Sequence, residues 1–245
     1  MRERELCALQ GFKYAPCAYK TANTPPADLE WRPFEAGTRL EGVDAHFWFR
    51  TGFDTPAAQE GKQIAFSLKT GREGQWDAEN PQCIVYLNGA LVQGMDVNHT
   101  QVLLEYGQHY DMQIYFYVGM NGGKVEFLPS LVEIDTEIER LYYDVSVPYE
   151  AALCFGRNSD AYIEIIKKLD LALNLLDLKQ PYSVAFYKGI GDVCAYLDAE
   201  LYNENNKSDA IVDCIGHTHI DVAWLWTVKQ TREKAQRSFS TVLNL

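Results

Sequence analysis

The stretch CIVYLNGALVQGM, residues 83–95, decides the fold class of the first half of the chain. Two short apolar runs flank Asn88-Gly89, and a two-residue type I′ turn needs positive φ at both positions, which Asn and Gly tolerate best. The stretch therefore predicts a β-hairpin. Runs typical of further strands, some alternating apolar and polar residues, lie around it at 46–56, 62–70, 109–119 and 137–148.

The spacing of these runs predicts an antiparallel, jelly-roll-like β-sandwich over about residues 31–147. After Pro148 the apolar period becomes helical, with one helix over 159–178 and a second after Pro181. We therefore expect an α+β protein. Its predicted domains are an accessory sandwich at 1–150, and at 151–245 a helical linker followed by the beginning of a second domain.

Composition excludes some classes of partner. The 245 residues carry a net charge of −12, which argues against a nucleic-acid partner because such binding rests on Lys and Arg. The sequence shows no signal peptide and no apolar run that could cross a membrane. The 6 cysteines are scattered without metal-ligand or redox spacing. These features predict a cytoplasmic protein.

The richest chemistry lies in GHTHIDVAWLW, residues 216–226, directly after the β-branched run AIVDCI at 210–215. That run predicts a buried parallel strand, and the loop at the end of such a strand is where α/β folds place their chemistry. In extended backbone His217, His219 and Asp221 share one face. Imidazole nitrogen and carboxylate oxygen suit zinc or a similar divalent metal. From the residues alone, Trp224 and Trp226 fit either a core or a sugar-gripping surface.

The motif, with its aspartate and following tryptophan, resembles the first catalytic strand of the α-mannosidases of glycoside hydrolase family 38. Residues 228–245 are similar to the helix that follows it in the cytosolic and bacterial branch. The resemblance implies that His219 and Asp221 are zinc ligands, that Trp224 stacks against mannose, and that His217 lies beside the metal without binding it. It also implies retaining hydrolysis of terminal α-linked mannose in oligosaccharides.

The resemblance further implies an α/β-barrel catalytic domain of which this chain holds the first strand and helix. The nucleophile and the acid of the family lie downstream of these residues, so no catalytic residue is assigned within the chain. We expect the N-terminal part of a longer enzyme, inactive alone and weak in zinc binding, whose exposed C-terminal end favours self-association into a homo-oligomer.

Two alternatives remain open from the residues. The His217-x-His219 pair also resembles the metal-binding pair of amidohydrolases, which would make the protein a different metal-dependent hydrolase. The β-rich half resembles the galactose-binding-like jelly rolls that accompany many glycosidases. Such a module either binds carbohydrate itself or only buttresses a catalytic domain.

Overall fold

The computed structural model describes residues 2–20, 22–35, 38, 40–76, 80–203, 211, 213 and 215–244. Two compact units divide them: the described residues of Arg4–Glu133 with Gly216–Leu245 form one, and those of Met1–Glu3 with Ile134–Ile215 form the other. None of the described helices is long and apolar enough to cross a membrane. The α+β class is confirmed, with antiparallel sheets and four helices among the described residues. The predicted division at residue 150 stays a prediction about domains.

Twelve strands are present among the described residues. They are β1 (Glu3–Ala8), β2 (Lys13–Cys17), β3 (Arg32–Pro33), β4 (Leu40–Glu41), β5 (His46–Asp54), β6 (Lys62–Lys69), β7 (Gln82–Leu87), β8 (Ala90–Met95), β9 (Gln101–Leu104), β10 (His109–Tyr117), β11 (Lys124–Val125) and β12 (Leu128–Asp135). A six-stranded sheet has the order β3-β2-β5-β10-β7-β8, a four-stranded sheet the order β1-β12-β6-β9, and β4 pairs with β11. The predicted strands at 46–56, 62–70 and 109–119 are confirmed as β5, β6 and β10.

The predicted hairpin at residues 83–95 is confirmed. Strands β7 and β8 pair antiparallel, with Leu87 opposite Ala90. Between them Asn88 and Gly89 have φ of 51° and 81°, as a type I′ turn requires. The turn thus matches the twist of the two strands that it joins.

The sandwich core lies between the two larger sheets and is rich in phenylalanine. Phe49 of β5 stacks on Phe127 with 4.0 Å between the ring centroids. The other face of the six-stranded sheet also buries residues, with Trp48, Tyr86 and Tyr115 forming a second cluster. Every residue of β7 is buried. Successive side chains of a strand point to opposite faces, so both faces of the sheet are covered at β7. This sheet is therefore covered on both sides over part of its area.

The predicted strand at 137–148 is wrong. These residues lie in helix α1 (Thr136–Leu153), which begins where the side chain of Asp135 accepts a hydrogen bond from the amide of Ile138 at 3.1 Å. Ile138 and Leu141 are buried three residues apart on one helical face, whereas Tyr143 and Val147, which belong to the apolar alternation typical of a strand, are exposed. The helical period therefore starts before Pro148, which lies inside α1.

The predicted helices after α1 are confirmed as α2 (Asp160–Leu173) and α3 (Val184–Glu200), capped by Ser159 and Ser183. Helices α1, α2 and α3 share one apolar core. Pro148 has no amide hydrogen, so it leaves the carbonyl of Asp144 without a helical donor, and the hydroxyl of Tyr202 donates to that oxygen at 2.9 Å. This hydrogen bond gives the carbonyl oxygen of Asp144 a donor in place of the missing amide of Pro148.

The predicted strand at 210–215 falls mostly outside the described residues. Of its six positions the structure describes Ile211, Asp213 and Ile215, and none of these three is in a strand. The parallel strand therefore stays a prediction.

The positive φ of Gly89 generates a stability prediction. The change Gly89→Ala should lower the free energy of unfolding by about 1–2 kcal/mol, because an L-residue pays that cost in left-handed backbone. An added Cβ there meets no atom within 4 Å, so the cost is backbone strain alone. Urea unfolding measures the change. The matched control is Gly52→Ala in β5, where φ is not left-handed; an equal loss in both variants would contradict the argument.

Candidate functional site

Helix α4 (Val228–Val242) follows the motif and begins with a capping box. The hydroxyl of Thr227 accepts a hydrogen bond from the amide of Gln230, and the side-chain oxygen of Gln230 accepts one from the amide of Thr227 at 2.9 Å. The side-chain nitrogen of Gln230 also donates to Asp44 at 3.2 Å. The helix predicted after the motif is thus confirmed, and its first turn is tied to the sandwich.

Helix α4 packs on strands β7 and β8 at a glycine. A Cβ placed on Gly94 would lie 2.5 Å from Cβ of Arg237 and 2.8 Å from its Cα, closer than any real contact. The guanidinium of Arg237 donates to Oε1 of Gln82 at 2.7 Å, and the hydroxyl of Thr241 donates to the carbonyl of Gly94 at 3.4 Å. Glycine at position 94 therefore permits the helix backbone to approach the sheet.

The motif itself, residues 216–226, is irregular backbone. Nε2 of His219 lies 3.1 Å from Oδ1 of Asp221, while the ring of His217 lies 6.4 Å from that of His219 between centroids. The His219 and Asp221 side chains are 74% and 45% exposed, so solvent or a ligand can reach both. The structure thus brings together the two residues that the resemblance implies as ligands, and places the third beside them.

The tryptophans of the motif form an aromatic group with a third ring. Trp224 meets Trp226 edge to face at 5.4 Å and Trp76 at 5.6 Å between centroids. The indole nitrogen of Trp226 donates to the carbonyl of Asp221 at 3.1 Å, and the ammonium of Lys234 lies 3.9 Å from the Trp226 ring centre. These contacts hold the loop against α4, while Trp224 stays 55% exposed and free to meet a ligand.

The donor set of the motif fits part of a zinc site. An imidazole nitrogen and a carboxylate oxygen already in contact are of the chemical type that zinc prefers. Within the part of the chain that the structure describes, no group of three or more His, Cys, Asp or Glu residues could hold a metal ion. His219 and Asp221 therefore supply two donors, below the three protein ligands that a catalytic zinc site uses.

Sequence reasoning missed a buried ionisable cluster under α4. Glu233 is 5% exposed, and its Oε1 has no hydrogen-bond partner among the described residues. Burial raises its pKa to about 7, although Tyr115, Lys20 and Arg237 act in the opposite direction. The only sequence signal was the spacing of Glu233 and Arg237, four residues apart on one helical face. Polar residues at that spacing suggest a solvated face, and the structure buries them instead.

Tyr115 connects this cluster to the sheet. Its hydroxyl lies 2.7 Å from Nδ1 of His46, and it accepts a hydrogen bond from the amide of Lys20 at 3.2 Å. Burial lowers the pKa of His46 and so favours the neutral imidazole, whose Nδ1 can accept a hydrogen bond from the Tyr115 hydroxyl. A carboxyl, a phenol and an imidazole thus lie together under the helix that follows the motif.

The raised pKa of Glu233 predicts pH-dependent stability. In the folded protein this pKa is about 7, above the ordinary carboxyl value of 4.5, so the protonated form is favoured by folding. The contribution is complete below pH 4.5 and is lost as the pH rises through 7. Urea unfolding from pH 5 to 9 should show wild type losing a few kcal/mol relative to Glu233→Gln, which cannot ionise.

The comparison with Glu233→Gln isolates this carboxyl from the charged and titratable groups that face it. Those are Tyr115 and His46 of the sheet, Asp44, Tyr19 and Lys20 of the loops, and Arg237 of the same helix. If wild type and Glu233→Gln showed parallel pH profiles, burial of an ionisable Glu233 would be contradicted.

Comparison with known proteins gives matches to glycosidases. Residues 209–245 match the family described as "Glycosyl hydrolases family 38 N-terminal domain". The chain is 24% identical to "Alpha-mannosidase G" of Dictyostelium discoideum over 87% of its length and 20% of that protein. It is 22% identical to "Alpha-mannosidase 2C1" of Homo sapiens over 88% of its length and 22% of that protein.

The chain spans about a fifth of the length of these curated relatives. Among solved structures, "Ruminococcus gnavus Beta-glucuronidase" is similar with a TM-score of 0.35 and 17% identity, over 54% of this chain and 28% of that one. The predicted resemblance to the family 38 α-mannosidases is confirmed: the chain is similar to α-mannosidases over most of its length and matches the family's N-terminal domain at residues 209–245.

Proposed function

We propose that residues 216–227 form part of the active site of a metal-dependent, retaining α-mannosidase. The observation that carries the proposal is the contact of 3.1 Å between His219 and Asp221, both open to solvent and next to an exposed Trp224. The similarity to α-mannosidases gives this pair its chemical context. In this proposal residues 209–245 belong to an α/β-barrel catalytic domain whose nucleophile and acid are not among the described residues.

Each residue of the motif has a distinct task in the proposal. His219 and Asp221 would hold zinc or another divalent metal, which would supply Lewis acidity toward the sugar hydroxyls. Asp221 is kept in place because its carbonyl accepts the indole N–H of Trp226. Trp224 offers its ring as a stacking surface for mannose, as aromatic faces do for apolar sugar faces. His217 lies beside the pair and does not bind the metal.

The proposed substrates are oligosaccharides with terminal α-linked mannose, as the names of the relatives suggest. A cytoplasmic location is part of the proposal. It is supported by the cysteines at 7, 17, 83, 154 and 194, which are all free thiols. The proposal includes a homo-oligomer, in which the chains would associate through the exposed aromatic group of the motif.

Zinc titration of the 245-residue chain tests the metal site. With two protein ligands, zinc should bind weakly and leave on dialysis, because tight sites use three or four. His219→Gln and Asp221→Asn should each lower the association constant at least about tenfold, and His217→Gln by less than about threefold. Isothermal titration calorimetry measures all three.

The matched control is His109→Gln, which removes an exposed histidine that lies 2.8 Å from Asp54 elsewhere on the sandwich. Loss of zinc binding in this variant but not in His219→Gln would place the metal outside the motif and contradict the proposal. A large loss in His217→Gln would instead favour the amidohydrolase alternative, in which both histidines bind metal.

A further inference from the structure

A polar cleft lies on the six-stranded sheet, away from the motif. It has a volume of about 650 Å³, and the register places three of its residues in one row across three strands. Lys13 of β2 is opposite Arg50 of β5, and Arg50 is opposite Gln113 of β10. Directly opposed residues point to the same face of a sheet. The row therefore forms one wall of the cleft.

The two cations of this row are Lys13 and Arg50. Lys13 and Arg50 do not take part in the ion pairs among the described residues. Arg50 lies over the ring of Trp31 at 4.1 Å, which fixes its guanidinium without supplying a negative charge. Like charges directly opposite on adjacent strands are destabilising. The pair is thus a local cationic site in a protein of net charge −12, and a bound anion would relieve the repulsion between its two charges.

The floor of the cleft is Gly52, and the fold itself does not demand glycine there. Its φ is outside the left-handed region, and an added Cβ would lie 3.5 Å from Oδ1 of Asp111 and 3.6 Å from Cε1 of His109, which are ordinary contacts. Glycine within a strand costs stability and is common where a ligand approaches the backbone. The missing side chain is what keeps the cleft open.

The wall beyond Gly52 offers acceptors rather than cations. Asp111 lies there, with its carboxylate 3.7 Å from Nε2 of His109, and Asn88 of the hairpin turn is beside it. Asn88 uses its side-chain oxygen to accept the amide of Asp111 at 2.8 Å, which holds the two residues together. A carboxylate exposed in this way accepts hydrogen bonds from hydroxyl groups. The cleft thus has a cationic end and a hydroxyl-binding end.

We propose that this cleft binds an acidic saccharide, meaning a sugar that carries a carboxylate or a phosphate. The anionic group faces Lys13 and Arg50, and the sugar hydroxyls face Asp111 across the open floor at Gly52. This assigns to the sandwich a binding site of its own, independent of the proposed mannosidase chemistry.

Calorimetric titration of the whole chain tests the proposal with matched pairs of probes: glucuronate against glucose, and mannose 6-phosphate against mannose. We expect at least one acidic sugar to bind at least about tenfold more tightly than its neutral partner, the effect of one charge-assisted hydrogen bond. The pair that responds tells whether carboxylate or phosphate is preferred. Lys13→Gln and Gly52→Val should each weaken that binding at least about tenfold.

The control Lys69→Gln removes an equal charge from an exposed position on the four-stranded sheet and should leave binding unchanged. Circular dichroism confirms that each variant is folded. Equal affinities of acidic and neutral sugars, or wild-type binding by Lys13→Gln, would overturn the proposal. Inorganic phosphate binding as tightly as mannose 6-phosphate would overturn its saccharide part. None of these outcomes depends on whether the motif binds zinc.

Discussion

The close approach of helix α4 to strand β8 at Gly94 is the contact on which the placement of the motif depends. Any side chain at position 94 would occupy the space of Arg237, so the helix could not lie at this distance from the sheet. The loop 216–227 is attached to that helix by the bond between the amide of Ala223 and the hydroxyl of Thr231, at 3.2 Å. The position of the loop that carries His219 and Asp221 therefore depends on how helix α4 packs against the sandwich.

The face that α4 turns to the sandwich is polar, the reverse of the usual amphipathic arrangement. Gln230, Glu233 and Arg237 are buried, whereas Phe239 and Val242 are each 58% exposed. Burying charge is costly unless each group has partners, and the sheet supplies Gln82 and Tyr115 for that purpose. The attachment of the helix rests on hydrogen bonds and protonation states more than on apolar area.

Sequence could predict much of this fold where local signals and tertiary packing agree. The Asn88-Gly89 turn depends on the backbone of its own two residues, so the pattern alone identified it. The segment 137–148 was misassigned because Tyr143, Val145 and Val147 alternate with polar residues as in a strand. The burial of Glu233 depends on residues more than a hundred positions away, which no local pattern contains.

The candidate site could be predicted in its chemistry but not in its surroundings. The alternation of His217, His219 and Asp221 indicated metal-binding side chains, and two of the three are in contact although the backbone is irregular. The edge contact of Trp224 with Trp76, nearly 150 residues earlier in the chain, required the fold. The open floor of the cleft at Gly52 could not be predicted either, because a single glycine in a strand does not change the pattern of apolar and polar residues.

The most direct measurement of the central claim is the rate of hydrolysis of an aryl α-mannoside by the full-length product of the gene, in wild-type form and as Asp221→Asn. The account predicts that the variant loses roughly 1,000-fold or more in kcat/KM, because a metal ligand supports several kcal/mol of transition-state stabilisation. Asp54→Asn, which removes an exposed carboxylate of strand β5 outside the motif, should retain wild-type activity. An Asp221→Asn protein as active as the wild type, or activity that survives exhaustive chelation, would contradict the account.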